Sequence, residues 1–282
     1  MSKPTPSPCR KDGYPAVAKV RNLTKVGFFH FMAGYENPIQ ALRHQLEAKK
    51  EGLSGSLIVL PEAFNVGDYR GTPIPTPSST EVADAMKKIE ELCIEFETVF
   101  VAGILIPQPS LDRSNSAFLI NGFAPPIRLT SKTSPDGLEH GVYSPCTQDC
   151  DPQNPLPYGD NDWIATLICM DARTRPIGDG RGDQTKIQCR MQKIKTVMET
   201  QPERTRILCV PSSMQYGNSQ DLAAGQSYDW VILANSCNAH ENVPSTILQI
   251  QKGESLPVRT FGDKTSNAVC VWPIRSKPVF RK

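Results

Sequence analysis

From Lys25 onward the chain alternates between short apolar runs and amphipathic stretches. Val26 to Phe31 and Leu57 to Leu60 are apolar runs of strand length. Between them Ile39, Leu42 and Leu46 recur at the spacing of one helical face. Asn37 and Pro38 open that helix, the first with a side-chain oxygen for a free N–H and the second with a ring already set for the first turn. Gly52 is its expected end. The cycle then repeats. A proline-rich loop from Tyr69 to Pro77 leads to Ser78 and Glu81, spaced as a capping box. Val82, Met86, Ile89, Cys93 and Phe96 form one apolar face, and Val99 to Ile106 predicts the next strand. Ala117 to Ile120 predicts a short strand paired with Ile127 to Leu129. Ile164 to Cys169 predicts another strand, and Ile187, Met191, Ile194, Val197 and Met198 a helix facing inward. Strands at Ile207 to Val210, Trp230 to Ala234, Thr246 to Ile250 and Ala268 to Trp272 complete the pattern.

Strands alternating with amphipathic helices define an α/β protein. Strands that follow one another without a helix, in the middle and near the C-terminus, imply a mixed or doubled sheet. No repeat of solenoid period appears. Residues 1–22, rich in Pro, Lys and Ser, read as a loose arm, and residues 23–282 as one domain. A chain of 282 residues with 39% hydrophobic content can bury one sizeable core. A net charge of +2 gives no global pull toward nucleic acid or membrane. No apolar run approaches the roughly 20 residues of a bilayer crossing, and the first residues lack a secretory signal's apolar core. These features predict a cytoplasmic protein with no membrane or nucleic-acid partner. The basic run from Lys186 to Arg206 reads as a solvated helix face rather than a polynucleotide surface. The 9 cysteines form no framework. Cys93, Cys169, Cys209 and Cys270 lie in apolar runs, as small buried hydrophobes of a reducing compartment do. Cys146 and Cys150, with His140 nearby, offer too few ligands at short spacing for zinc, so no metal or cofactor is expected.

Three places carry candidate chemistry. In Leu57-Ile58-Val59-Leu60-Pro61-Glu62-Ala63-Phe64 an apolar strand runs into a proline and then a carboxylate. A glutamate there is either a cap or ion-pair partner, or a general base, since partial desolvation suits a carboxylate to proton transfer near neutral pH. Lys132, followed by Glu139, is a loop lysine of the kind that is ordinarily exposed; its functional reading is a fixed cation that stabilises a thiolate and then an oxyanion. Cys169 closes an apolar run and is followed by Asp171, Arg173 and Arg175. A cysteine in such a run is ordinarily core. One at the carboxyl end of a strand in an open α/β sheet is placed to act as a nucleophile.

These segments resemble the three catalytic signatures of the carbon–nitrogen hydrolase (nitrilase) superfamily. Leu60-Pro61-Glu62-Ala63-Phe64, Lys132 with Glu139, and Leu167-Ile168-Cys169-Met170-Asp171-Ala172-Arg173 match in order and approximate separation. The segment from Lys132 through Glu139 to Pro145 is similar to the aliphatic amidase branch. Cys209 to Met214 and Trp230 to Ser236 look like later core strands of that family, and the likeness spans residues 24 to 273. The resemblance implies a four-layer α-β-β-α sandwich of the nitrilase type that dimerises or forms a higher homo-oligomer. It implies amidase-type hydrolysis of a non-peptide C–N bond in a small-molecule amide. Cys169 would be the nucleophile, Glu62 the base, and Lys132 with the backbone N–H of Met170 the oxyanion donors. Glu139 would orient Lys132 or the substrate.

The chain also departs from the family. Met170 stands where an aromatic residue is common, Thr174 to Gly180 replaces a Pro-Glu pair, and the stretch after Asn238 matches poorly. These departures bear on the pocket more than on the chemistry. Rival readings are a catalytically silent member of the fold, nitrile cleavage, and a Cys-His scheme pairing Cys169 with His30, His140 or His240. Arg181-Gly182-Asp183 is an adhesion tripeptide in spelling alone, and the glycines around it lack the strand, helix and lysine of a phosphate loop.

Overall fold

The computed structural model describes residues 22–32, 37–67, 76–107, 113–133, 151–172, 184–213, 227–237, 243–251, 254–263 and 265–274. The N-terminal arm, Glu139, His140, Cys146, Cys150, the Arg181-Gly182-Asp183 tripeptide and His240 lie outside these residues. The elements run β1 (Lys25–Met32), α1 (Pro38–Ala48), β2 (Ser56–Val59), α2 (Ser79–Phe96), β3 (Val99–Pro107), β4 (Arg113–Ile120) and β5 (Ile127–Ser131). They continue with β6 (Leu156–Tyr158), β7 (Asp162–Thr166), a 3-10 turn at Cys169–Ala172, α3 (Gln184–Met198), β8 (Thr205–Ser212) and β9 (Trp230–Cys237). The last strands are β10 (Ser245–Gln251), β11 (Glu254–Phe261) and β12 (Ala268–Pro273).

Period-two alternation sorts the strand residues into layers. Val26 and Phe28 of β1, Leu57 and Val59 of β2, and Val99 and Val101 of β3 share one core with Ile207 and Cys209 of β8 and Trp230 and Ile232 of β9. This is the space between two sheets. The intervening residues of the first sheet, among them Phe29, Ile58 and Phe100, pack outward on Leu42 and Leu46 of α1 and on Ile89, Leu92 and Phe96 of α2. Those of the second sheet, Leu208, Val210, Val231 and Leu233, pack on Ile194 and Met198 of α3. The result is the expected four-layer α-β-β-α sandwich.

The first sheet is ordered β5-β4-β3-β2-β1-β12 and the second β6-β7-β8-β9-β10-β11. A short parallel contact joins them, Phe31 opposite Ser236 and Met32 opposite Cys237. Within the first sheet β1, β2 and β3 are parallel, and within the second β7, β8 and β9 are parallel. Each sheet therefore sends the carboxyl ends of its central strands to one side.

Both predicted helix starts are capped as expected. Asn37 Oδ1 accepts from the N–H groups of Ile39 and Gln40 at 3.0 and 3.3 Å. Ser78 Oγ accepts from Glu81 N at 3.2 Å while Glu81 Oε2 accepts from Ser78 N at 2.7 Å. Other expectations need correction. Helix α1 stops at Ala48 with Lys49 at its cap; Gly52 serves the following turn instead, at φ +102°. Strand β4 begins at Arg113, four residues before the apolar run, because its polar half pairs with β3 through Pro107. Strands β6 and β11 were not anticipated: β6 has three residues, and β11 is an edge strand, largely exposed, that contains Pro257. Strand β7 ends at Thr166, so Cys169 stands on a turn beyond the strand and not within it.

Candidate functional site

The predicted glutamate and lysine meet. Lys132 Nζ donates to Glu62 Oε1 at 2.7 Å, with Glu62 fully buried and Lys132 5% exposed. The loop lysine is therefore not solvated. Glu62 follows β2 across Pro61. On one side Leu60 N and Phe64 N donate to Val101 O and Gly103 O of β3, both at 2.8 Å. On the other, Glu62 N donates to Ser212 O of β8 at 3.3 Å. The glutamate thus bridges the two sheets. Ala63 takes φ +51°, a sharp turn that swings the chain away after the carboxylate. Gly103 leaves room beneath it: a Cβ at that position would stand 2.7 Å from Glu62 Cα and 2.8 Å from Pro61 O.

Asn115 of β4 is a third member of this cluster that sequence reasoning missed. Its Nδ2 donates a short hydrogen bond to the same Glu62 Oε1, and its backbone oxygen accepts from Lys132 N at 2.8 Å. The second carboxylate oxygen, Glu62 Oε2, is buried and meets no donor among the described residues; Asn115 Oδ1 and Ser212 Oγ are in the same condition. A buried acceptor left open costs about 1–3 kcal/mol.

Cys169 is 2% exposed and opens the 3-10 turn after β7 at φ +47°, a left-handed backbone that non-glycine residues adopt at a cost. It packs in the same apolar cluster as Ala117, two residues along β4 from Asn115. Met170 lies in this turn, so the backbone places its N–H directly after the nucleophile candidate.

A buried polar network ties this turn to the lysine. Asp171 Oδ2 accepts from Thr133 N at 2.9 Å, from Thr133 Oγ1 at 3.2 Å and from Arg190 Nη1 at 2.7 Å. Arg190 Nη2 donates to Ser131 O at 3.2 Å, and its Nε pairs with Asp151 Oδ2 at 2.7 Å. Asp151 also accepts from Thr130 Oγ1 at 2.6 Å. Lys132 is therefore held by its own N–H, which bonds Asn115 O, and through both neighbours: Thr133 bonds Asp171 of the cysteine turn twice, and Ser131 O accepts from Arg190 of α3. Arg190 lies in the basic run that reads as a solvated face, yet it is buried. A signal was present: it stands three residues after Ile187 and four before Ile194, on the apolar stripe of α3.

His30 does not join the cluster. Both its ring nitrogens are occupied, Nδ1 by Ser245 Oγ at 2.9 Å and Nε2 by Asp263 O at 3.2 Å, and burial lowers its pKa to about 4. Among the described residues no group of three or more His, Cys, Asp or Glu side chains comes together as a metal site would require.

No protein-family model matches the chain, and no curated protein matches it. Solved structures do. The fold is similar to that of an amidase from Nesterenkonia sp. AN1, of the nitrilase superfamily. A cysteine-to-serine mutant of that protein is 16% identical, with a TM-score of 0.64 over 90% of this chain and 93% of the other. A cysteine-to-alanine mutant in complex with butyramide matches at 16% identity and a TM-score of 0.63, over 90% and 93%. A glutamate-to-glutamine mutant, with acrylamide added at the active-site cysteine, matches at 15% and 0.63, over 90% and 94%. The chain has the nitrilase-superfamily fold.

Proposed function

We propose that this protein is a member of the carbon–nitrogen hydrolase superfamily that hydrolyses a small amide through a cysteine thioester, with Glu62, Lys132 and Cys169 as its catalytic triad. The observation that carries the proposal is the buried Lys132–Glu62 pair, tied through Thr133, Asp171 and Arg190 to the turn bearing Cys169. A buried ion pair is a poor source of stability, because desolvation offsets its attraction. A buried ion pair at strand ends, linked by this network to a turn that carries a thiol, supports a role in proton transfer.

In this reading Glu62 takes the thiol proton as the sulfur electron pair forms a bond to the amide carbon, and the carbonyl π pair moves onto oxygen. Lys132 and the backbone N–H of Met170 hold that oxyanion. Collapse of the tetrahedral intermediate breaks the C–N bond, and the amine leaves with the proton from Glu62. Water then attacks the thioester, giving a proton to Glu62. The C–S bond breaks and the thiolate recovers a proton, so that amide and water have become acid and amine. Glu139 orients Lys132 or the substrate. Amides are favoured over nitriles by the likeness of the segment from Lys132 to Pro145 to the amidase branch, and by butyramide and acrylamide as ligands of the structurally similar amidase.

The test is intact-protein mass spectrometry and ammonia release across a panel of primary amides that includes butyramide. The parent forms an acyl adduct on Cys169 and releases ammonia. Cys169→Ala retains the fold and does neither; release by that variant at the parental rate refutes the assignment.

A further inference from the structure

We infer that Asn115 is a positioning residue for this reaction, committing Glu62 Oε1 to two donors so that Oε2 is the oxygen that exchanges protons with Cys169 and the leaving amine. The inference rests on the proposed Glu62-Lys132-Cys169 triad. A carboxylate oxygen only accepts, so the Asn115 atom facing Oε1 is the Nδ2 amide and not Oδ1. Oε1 therefore receives both Asn115 Nδ2 and Lys132 Nζ, while Oε2, equally buried, receives no donor among the described residues. One oxygen is saturated with positive hydrogens and the other keeps its lone pairs for a proton.

Asn115 also fixes the cation. Its backbone oxygen accepts from Lys132 N at 2.8 Å while its side chain holds the partner carboxylate. A single strand residue thus sets both ends of the ion pair. Ala117, two positions along the same strand, belongs to the apolar cluster that also contains Cys169. Among the described residues, the groups that meet Glu62 are Lys132 from the end of β5, Asn115 from β4, the Gly103 backbone of β3 and the Ser212 backbone of β8, and of these Lys132 is charged. Asp171 and Arg190 are bonded to its neighbours Thr133 and Ser131.

The experiment compares Asn115→Asp, Asn115→Ser and Glu62→Gln with the parent, all as full-length protein, using butyramide as substrate and recording melting temperature, kcat, KM and the pH profile of kcat/KM. Asn115→Asp replaces the donor by a second carboxylate oxygen, which disfavours the ionised form of its neighbour. Its expected result is a fall in kcat of about 100-fold with KM nearly unchanged, and an acid limb of kcat/KM displaced to higher pH. Asn115→Ser removes the donor without adding charge, so kcat falls about tenfold and the limb moves less. A folded Asn115→Asp or Asn115→Ser with parental kcat and an unmoved acid limb, beside an inactive Glu62→Gln, overturns the positioning role while leaving the triad intact. Parental turnover by Glu62→Gln, or no turnover of any amide by the parent, overturns both.

Discussion

Arg190→Met tests whether the network around the lysine carries the site. The arginine side chain is 6% exposed and neutralises two carboxylates, Asp151 and Asp171, each at 2.7 Å. Methionine matches its length without the charge. Asp171, with no side-chain exposure, keeps the two Thr133 donors and loses the Arg190 cation at 2.7 Å. Removing one partner of a buried pair costs about 3–5 kcal/mol. A chain of this size melts about 2–4 °C lower for each kcal/mol lost, so the variant is expected to melt about 10 °C below the parent near pH 8. The sign of the pH dependence follows from linkage. In the variant, a buried carboxylate without its cation binds a proton more tightly in the folded state than in the unfolded one. The folded state then holds more protons at mildly acidic pH, so the deficit shrinks as pH falls toward 5. Adding Asp171→Asn removes the charge that has lost Arg190 and recovers much of the loss. Melting curves of parent, single and double variants at pH 5 and pH 8 decide the matter. A single variant that melts within about 2 °C of the parent at pH 8, or a deficit that does not change with pH, refutes the reasoning.

Four further outcomes are expected. Gly103→Ala brings a Cβ against Glu62 Cα, Pro61 O and, at 3.2 Å, Pro211 Cβ; it loses about 1–3 kcal/mol of stability and, by displacing the proposed base, about 100-fold in kcat, read by thermal melting and amide turnover. On the proposed mechanism Lys132→Ala lowers kcat for butyramide by about 100-fold, as loss of an oxyanion donor does, and an unchanged turnover number would contradict its role. His30, with a folded pKa near 4, is neutral in the fold and protonated in the unfolded chain between pH 4 and its ordinary 6.5. The parent therefore loses up to about 3 kcal/mol as pH falls through that window, a loss absent from a folded His30→Gln when both are unfolded by urea at several pH values. Asp162 has the opposite sign. Burial raises its pKa to about 7, against a smaller lowering by Arg204, so it holds its proton in the fold and destabilises as pH rises from 3.8 through 7. Asp162→Asn is expected to gain about 2 kcal/mol over the parent at pH 8 and nothing at pH 3.5.

Whatever rests on neighbours in the chain was legible without coordinates. The Ser78–Glu81 capping box needs residues three apart, and the continuous apolar runs of β1, β2, β3, β8 and β9 need only the order of side chains; both appear in the fold. The runs are physical, since a strand buried on both faces must be apolar at every position. Strands without that signature escaped: β6 is short, β11 faces solvent, and the start of β4 is polar. Glu62 and Lys132 could be nominated from their segments, but their contact could not, because it depends on β4 folding back beside β3 and β5 beside β4. Likewise Asn115 is an ordinary strand asparagine and Arg190 one basic residue among several until packing sets them against a buried carboxylate. The left-handed turn at Cys169 was also invisible, since a cysteine carries no preference for positive φ and only the surrounding contacts can impose it. The chain order thus determined which residues form helices and strands and which types stand at the strand ends. Only the closure of two sheets face to face decided which of those residues share charge and protons, because such energies fall off over a few ångströms and chain separation does not measure that distance.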